Sequence, residues 1–153
     1  MSKLTLLTIL RDGVPDGTCP GLDDAAREVC SQTAALYWRA GFVSPWVCYL
    51  ALFGDGIVGT CGFTAPPAEG KVEIAYYTFQ PFEGRGIATL MARELLAVAK
   101  AADPGVRVIA HTLPERNAST RILEKIGFEL KGTVLHPEDG EIWEWEKPPG
   151  NAA

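Results

Sequence analysis

Hydrophobic and polar positions follow two different periods along this chain, and these periods predict strands and helices in turn. Apolar side chains at every second position, or in short runs rich in Val, Ile and aromatic residues, are typical of strands. Such runs occupy 4–10, 46–53, 57–64, 72–79, 106–112, 128–134 and 142–146. Apolar spacings of three and four predict helices over 22–40, 87–102 and 117–126. This order of elements predicts a mixed α/β fold, in which helices pack on one sheet.

Turn-forming and capping residues separate these segments. Asp23 and Asp24 favour the positive end of the first helix, and Gly41 can end it. The Gly-Asp-Gly sequence at 54–56 predicts the turn of a β-hairpin. The polar run at 137–140 predicts the turn between the last two strands.

Composition indicates a globular protein of one domain. The chain has 153 residues, of which 47% are hydrophobic, too many for a disordered chain. Because it has no internal repeat and no long linker, we expect one domain over 1–147 and a flexible tail over 148–153. No apolar run reaches the roughly 18 residues of a membrane span. The apolar stretch at 4–10 continues into Arg11 without the small residues of a signal-peptide cleavage site.

Charge and cysteine usage exclude several functions. The 14 Lys and Arg against 19 Asp and Glu give a net charge of −5, which disfavours nucleic acids and anionic membranes as partners. The four cysteines, at 19, 30, 48 and 61, form no CxxC pair, and there are only two His, so no metal site is expected. Thiols within apolar segments are typical of a reducing compartment, so a cytoplasmic location is expected.

Two glycines between a strand and a helix form the most informative local motif. Gly84 and Gly86 let the backbone turn tightly, and the helix beginning at Ile87 directs unpaired N–H groups and its positive dipole end at the same place. Thr89 adds a hydroxyl in the first turn, and the arrangement suits a phosphate or pyrophosphate. The P-loop and dinucleotide patterns are both absent. Taken alone, the motif also fits a tight turn without a ligand.

Three segments stand in a characteristic order and separation: 72–76 (VEIAY), 83–89 (EGRGIAT) and 114–128 (PERNASTRILEKIGF). Together they resemble the GNAT superfamily of acetyl-coenzyme A dependent N-acetyltransferases, in the branch that includes ribosomal-protein N-terminal acetyltransferases. The resemblance covers residues 46–146. It implies a central, mostly antiparallel twisted sheet of six to seven strands with helices on both faces. Within this sheet, strands 72–79 and 106–112 are expected to splay apart.

The same resemblance implies a reaction. Acetyl-coenzyme A is the expected co-substrate, with no metal, and a primary amine of a small molecule or peptide is the expected acceptor. Transfer is expected to be direct, within a ternary complex, and the superfamily often forms homodimers. A coenzyme-binding sensor without turnover and an interaction domain are the alternative functions.

The resemblance also implies which residues bind the coenzyme. The set is Thr78, Phe79, Gly84, Arg85, Gly86, Ile87, Ala88, Thr89 and Asn117. The backbone of Thr78 and Phe79 is expected to pair with the pantetheine arm, while Asn117 bonds the pantetheine or caps its helix. Arg85 is a phosphate partner or a solvated charge. Glu83 stands where the family has Arg or Gln, so its carboxylate must point outward to avoid repelling a pyrophosphate.

Acetyl transfer needs a base for the amine and a donor for the departing thiolate. Glu73, a charged residue in an apolar strand, is the first candidate for the base, and His111 or a water chain are the alternatives. Many superfamily members have a Tyr as acid at the position of Leu123, so Ser119 is expected to assist the sulfur, with Tyr76 as a weaker option. Each of these side chains has a purely structural explanation as well.

Aromatic and acidic residues are candidates for the acceptor site. The aromatic set is Tyr37, Trp38, Trp46, Phe63, Trp143 and Trp145, and the acidic run comprises Glu138, Asp139, Glu141, Glu144 and Glu146. Aromatic residues at strand spacing are more often core, and an acidic run is more often a solvated face.

Overall fold

The computed structural model describes residues 3–17 and 21–148. The predicted tail, apart from Pro148, and Cys19 therefore lie outside the described residues. Within them the chain forms β1 (Leu4–Thr8), α1 (Asp24–Ala40), β2 (Cys48–Phe53), β3 (Gly56–Phe63), β4 (Lys71–Thr78), a 3-10 turn (Gln80–Phe82), α2 (Ile87–Ala102), β5 (Arg107–Thr112), α3 (Ala118–Lys125), β6 (Glu129–His136) and β7 (Gly140–Lys147). The expected type and order of elements are confirmed.

All seven of these strands join one sheet in the order β1-β2-β3-β4-β5-β7-β6. Every neighbouring pair is antiparallel except β4 and β5, which run parallel and are connected through α2. A parallel pair needs a long crossover, and a helix is the usual one. The expected mostly antiparallel sheet is confirmed.

The parallel pair is paired over only half of β4. Its ladder joins residues 71–74 of β4 to 107–110 of β5 and ends at Ile74 and Ala110. Beyond that point β4 continues along β3 as far as the pair Thr78–Gly59, whereas β5 continues along β7 as far as the pair Thr112–Trp143. The two strands therefore splay apart at the centre of the sheet, as expected.

Helices cover both faces of the sheet. A Cβ added at Gly59 would lie 3.3 Å from Met91 Cε, so α2 packs on the face to which Gly59 belongs. The next residue, Thr60, belongs to the opposite face because strand residues alternate. There Thr60 lines a groove together with Val29 and Leu36 of α1. The core is continuous through the sheet and includes the fully buried Phe63, Ile74, Met91, Leu95, Leu123 and Trp145.

Local signals explain where the helices begin and end. Asp23 accepts a hydrogen bond from Ala26 N at 2.8 Å and caps α1, which ends at Gly41 with φ 97°. The helix α2 has the predicted bounds. The first strand ends at Thr8 and is shorter than the predicted 4–10, although Ile9 N still donates to Cys48 O at 3.0 Å and Ile9 also forms an isolated bridge to Pro15.

Candidate active site

The N-terminus of α2 carries no side-chain cap. Its N-cap is Gly86, in the left-handed conformation with φ 77°, and Gly84 has φ 79°. A Cβ added at either glycine would meet no atom within 4 Å. Crowding is therefore not the reason for glycine here. Backbone conformation is the reason, because residues with a side chain adopt positive φ at a cost.

The amides at this helix end have no acceptor in the helix. The first helical hydrogen bond runs from Leu90 N to Gly86 O at 3.2 Å. The N–H groups of Ile87, Ala88 and Thr89 precede it and have no carbonyl one turn earlier to bond. They coincide with the positive end of the helix dipole, so this end attracts an anion.

These amides open into a groove of about 620 Å³ on the α2 face. The groove is lined by Tyr76, Tyr77, Thr78, Phe82, Glu83, Gly84, Gly86, Ile87, Ala88, Thr89, Ala118, Ser119, Arg121, Ile122 and Lys125. Inside it the hydroxyl oxygen of Thr78 is buried and has no hydrogen-bond partner. A buried polar atom without a partner is uncommon and costly, so it indicates a place where a ligand completes the site.

The backbone of β4 contributes to this groove at alternate residues. Phe79 N donates to Val58 O at 2.9 Å, and Glu73 O accepts from Thr64 N at 3.0 Å, so odd-numbered residues of β4 bond to β3. The N–H and C=O groups of Tyr76 and Thr78 point the other way, into the split beyond the last pair with β5.

This geometry corrects the expected contribution of Phe79. Its N–H is used by Val58, its carbonyl accepts from Phe82 N at 2.9 Å, and its side chain is buried. The expected pairing through the Thr78 backbone is geometrically available. The second available residue is Tyr76 rather than Phe79, because strand residues alternate in direction.

The opposite wall of the groove is α3, whose N-terminus is capped by side chains. Asn117 Oδ1 accepts from Thr120 N at 3.1 Å, and Thr120 Oγ1 accepts from Asn117 N at 2.9 Å. This reciprocal capping box pairs the third helical amide of α3 and the amide of its N-cap residue, and no side chain does the same at α2. Asn117 does not line the groove, whereas Ser119 does and is exposed.

Two cations of α3 were missed by sequence reasoning. Arg121 and Lys125 line the groove, one turn apart on the same face of the helix. The sequence contains a signal for them, because two cations four residues apart in a helix that begins after Asn117 lie on one helical face. Arg85, the expected phosphate partner, is not among the lining residues and lies 5.8 Å above the Phe82 ring. Glu83 is an exposed lining residue.

On the other face of the sheet, three titratable side chains meet where β4 and β5 separate. Glu73 Oε2 lies 3.2 Å from His111 Nδ1, and Glu144 Oε1 lies 3.0 Å from His111 Nε2. All three are about one quarter exposed, at 28%, 22% and 22%. The two candidate bases are thus neighbours, and Glu144 of the acidic run holds the second ring nitrogen.

A second groove, of about 300 Å³, lies beside this cluster on the α1 face. It is lined by Val29, Gln32, Thr33, Leu36, Cys48, Thr60, Cys61, Gly62, Phe63, Thr64, Ala75, Tyr76 and Tyr77. Thr64 Oγ1 donates to Glu73 Oε1 at 3.2 Å, which connects the groove to the cluster. Tyr76 and Tyr77 line both grooves, so the two meet at the split in the sheet.

Most of the expected aromatic lining lies elsewhere. Of the six aromatic candidates Phe63 lines the second groove, and Trp46 packs edge-on against it with ring centroids 5.1 Å apart. Tyr37 is buried, and its hydroxyl donates to Ile9 O at 2.8 Å. Trp145 is core, and Trp143 lies on its face of the sheet under Arg116. Trp38 is 91% exposed on α1 and lines neither groove.

Three hydrophobic or weakly acidic side chains are chemically inert at neutral pH. Leu123, where many family members have a Tyr, is fully buried in the core. Burial raises the pKa of Tyr76 to about 12 and that of the Cys48 thiol to about 11, so both are protonated at neutral pH. Cys48 is consequently a poor nucleophile, because the thiolate is the reactive form.

No His, Cys, Asp or Glu group among the described residues could hold a metal ion, and no described helix is long and apolar enough to cross a membrane.

Solved structures share this fold at low sequence identity. RimL, the ribosomal L7/L12 α-N-protein acetyltransferase, is 17% identical in an apo form, with a TM-score of 0.68 over 94% of this chain and 92% of that one. MccE, a microcin C7 self-immunity acetyltransferase in complex with acetyl-CoA and AMP, is 18% identical, with a TM-score of 0.61 over 80% and 69%. AAC(6')-Ib in complex with ribostamycin and coenzyme A is 23% identical, with a TM-score of 0.57 over 66% and 63%.

Sequence comparison gives the family. No curated protein sequence matches the chain significantly. The model of the acetyltransferase (GNAT) domain matches residues 15–129, which is most of the chain and includes α1, the split between β4 and β5, and the N-termini of α2 and α3. The chain belongs to the GNAT acetyltransferase family.

Proposed function

We propose that this protein transfers the acetyl group of acetyl-coenzyme A to a primary amine, directly and within a ternary complex. The observation that carries the proposal is the meeting of two grooves at Tyr76 and Tyr77, where the sheet splits. One groove has the features of an anion site, and the other lies beside carboxylates. A donor and an acceptor bound on opposite faces would meet at this split.

The residues of the first groove fit coenzyme A. The unpaired amides from Ile87 to Thr89 and the turn at Gly84 and Gly86 would hold the pyrophosphate. Cations on the opposite wall would add charge attraction. The free backbone groups of Tyr76 and Thr78 would pair with the amides of the pantetheine arm, as a strand does. When bound, the coenzyme supplies the thioester that is attacked.

The partnerless Thr78 hydroxyl supports the same fit. It is buried inside the groove, and a pantetheine amide is a suitable partner for a hydroxyl that can both donate and accept. In the structural neighbours RimL, MccE and AAC(6')-Ib, the complexes contain coenzyme A or acetyl-CoA.

Glu73 is the proposed base. Its Oε1 is reached from the second groove through Thr64, and its Oε2 faces His111. A carboxylate here would take the proton of an incoming ammonium group and leave a neutral nucleophilic amine. Neutral imidazole has one N–H and imidazolium has two, so His111 can donate a hydrogen bond to one carboxylate or to both. A proton taken from the amine can therefore be shared among Glu73, His111 and Glu144.

Ser119 is the proposed donor to the departing thiolate. It is exposed in the coenzyme groove in the first turn of α3, and its hydroxyl has no assigned structural role in the way that Asn117 and Thr120 do. Leu123 cannot donate a proton. The departing sulfur would therefore be stabilised by a hydrogen bond from Ser119 and not protonated by a tyrosine at that position.

Thiol release from acetyl-coenzyme A over a panel of primary amines tests the proposal. Glu73→Gln should lower kcat by about 100-fold or more, since a positioned base typically contributes that much. The dissociation constant for coenzyme A, measured by calorimetry, should stay unchanged because Glu73 lies on the opposite face. Glu129→Gln, which removes an exposed strand carboxylate on β6, is the matched control and should keep full activity.

Direct transfer has its own test. After incubation with acetyl-coenzyme A alone, mass spectrometry should find no acetylated enzyme, because the groove thiol Cys48 is held protonated. An acetyl-cysteine adduct that forms and decays at the rate of turnover would contradict the ternary complex.

The alternative function is a coenzyme-binding sensor, and the buried Leu123 at the usual acid position favours it. A sensor would bind coenzyme A without turning over any amine, and Glu73→Gln would change nothing. Measuring binding and turnover on the same preparation separates the two functions.

A further inference from the structure

The second groove has an uncharged lining and lies beside a cluster of two carboxylates and a histidine. On the proposed function given above, we infer that its acceptor is a primary monoamine carried on an uncharged, largely apolar body. An acceptor with a carboxylate beside the amine, such as a free amino acid, or with several ammonium groups should be rejected. The inference concerns the acceptor alone and is independent of how the coenzyme is held.

The groove is apolar and of modest size. Its wall residues include Val29 and Leu36 from α1, Phe63 from β3, and Ala75 and Tyr77 from β4. The remaining side chains are small or neutral hydroxyl, thiol and amide groups. Its volume of about 300 Å³ is at the lower end of ordinary ligand pockets, which begin at roughly 300 Å³. Such walls favour an apolar body over a polar one.

None of the lining residues is charged, and the charged groups that bond to them are acidic. Gln32 Nε2 donates to Glu28 Oε1 at 3.0 Å, and Thr64 donates to Glu73 at 3.2 Å. Among the described residues, the hydrogen bonds of this lining reach no Lys or Arg. The field in the groove therefore favours one positive group, placed at Glu73, and disfavours a negative one.

A carboxylate on the acceptor would have no partner. It would be removed from water, brought near Glu73 and Glu144, and left without a cation. Additional ammonium groups meet a different obstacle, because the α1 wall offers the apolar side chains of Val29 and Leu36 and two neutral polar groups, and no carboxylate lines the groove. Both classes lose binding through unpaired charge, which is the strongest basis for discrimination in a small site.

Four probe amines test the inference with acetyl-coenzyme A present. Phenethylamine and phenylalaninamide carry one amine on an uncharged body, phenylalanine adds a carboxylate to the same body, and spermidine carries several amines. The value of kcat/KM should be at least about 100-fold higher for the first two than for phenylalanine or spermidine. The ratio of phenylalaninamide to phenethylamine distinguishes a peptide-like acceptor from a simple amine.

A charge variant sharpens the test. Gln32→Arg places a cation at the groove wall and should raise kcat/KM for phenylalanine by about tenfold relative to phenethylamine. Gln32→Met, of similar length and neutral, should leave that ratio where it was. A shift with Met as large as with Arg, or no shift with Arg, would contradict the charge explanation.

The failure of this inference differs from that of the proposed function. Acetylation of phenylalanine or spermidine as fast as phenethylamine would overturn the inference and leave acetyl transfer standing. Coenzyme binding with no acetylation of any of the four amines would overturn both.

Discussion

The N-termini of α2 and α3 line one groove, yet only the N-terminus of α3 is capped by side chains. At α3, Asn117 and Thr120 bond to each other's backbone, and Thr120 is fully buried. At α2, the N-cap is Gly86, and no side chain replaces the missing helical acceptors. The N-terminus of α3 is thus capped by the chain's own side chains. The N-terminus of α2 is left for something outside the chain.

This difference shows how one feature of all helices becomes either structure or site. Every α-helix begins with unpaired N–H groups. A side-chain cap at α3 fixes the helix that presents Ser119, Arg121 and Lys125, while the absence of one at α2 leaves donors and a dipole for an anion. Four predictions, from the largest expected effect to the smallest, test this division of roles.

Gly86→Val should have the largest effect, on ligand binding. A β-branched residue cannot hold φ 77° without strain, so the turn should move and the amides should lose their alignment. The dissociation constant for coenzyme A should rise by about 100-fold, which corresponds to about 2.7 kcal/mol. Calorimetry measures it.

Gly70→Val is the matched control for that change. Gly70 also has φ 77° and open space around the Cβ position, but it lies in the turn before β4. Gly70→Val should lower the melting temperature of the protein as much as Gly86→Val does, and it should leave the affinity for coenzyme A unaltered. Equal loss of affinity in both variants would mean that strain alone, and not the α2 amides, explains the result.

Removing the cations of α3 should have the next largest effect. The double variant Arg121→Gln with Lys125→Gln should weaken coenzyme A binding by about tenfold at low salt, because charge-assisted contacts to phosphate are lost. The difference should shrink at about 1 M salt, where the Debye length falls to about 3 Å. Arg93→Gln with Lys100→Gln, exposed on α2 and outside the groove lining, changes net charge equally. A salt-independent loss would contradict an electrostatic role.

Asn117→Ala should act on stability. Loss of an N-cap typically costs about 1 kcal/mol, and here it also disrupts the capping box with Thr120. Urea denaturation should show a lower midpoint, while coenzyme affinity should change less than threefold. A large loss of affinity with normal stability would instead assign Asn117 to the pantetheine.

Glu83→Gln should have the smallest effect, in the favourable direction. Glu83 lines the groove beside the α2 amides and is exposed, so its charge repels a phosphate through a mostly aqueous path. Removing it should tighten coenzyme A binding by a few-fold, more at low salt than at high salt. Weaker binding would mean that the carboxylate has a bonding role in this loop.

Local signals were sufficient for much of the fold. The bounds of α2, the cap at Asn117 and the loop at Gly84 and Gly86 all depend on neighbouring residues, so the sequence predicts them directly. The expected aromatic lining of the acceptor site depends on information of a different kind, and Trp143 and Trp145 line neither groove. Trp143 and Trp145 alternate correctly along β7, but a period of two cannot say which of the two faces is the acceptor face.

The sequence alone predicted a tight glycine turn before a helix without a side-chain cap, and it indicated the family, because both depend on short contiguous motifs. The tertiary structure decided what stands beside that turn. Glu73, His111 and Glu144 meet only because β4, β5 and β7 are neighbours in the sheet, although they are far apart in the chain. The backbone of Tyr76 is free for a ligand only because β5 leaves β4 after Ile74. Strand pairing is a long-range choice, and no local pattern encodes where a pair stops.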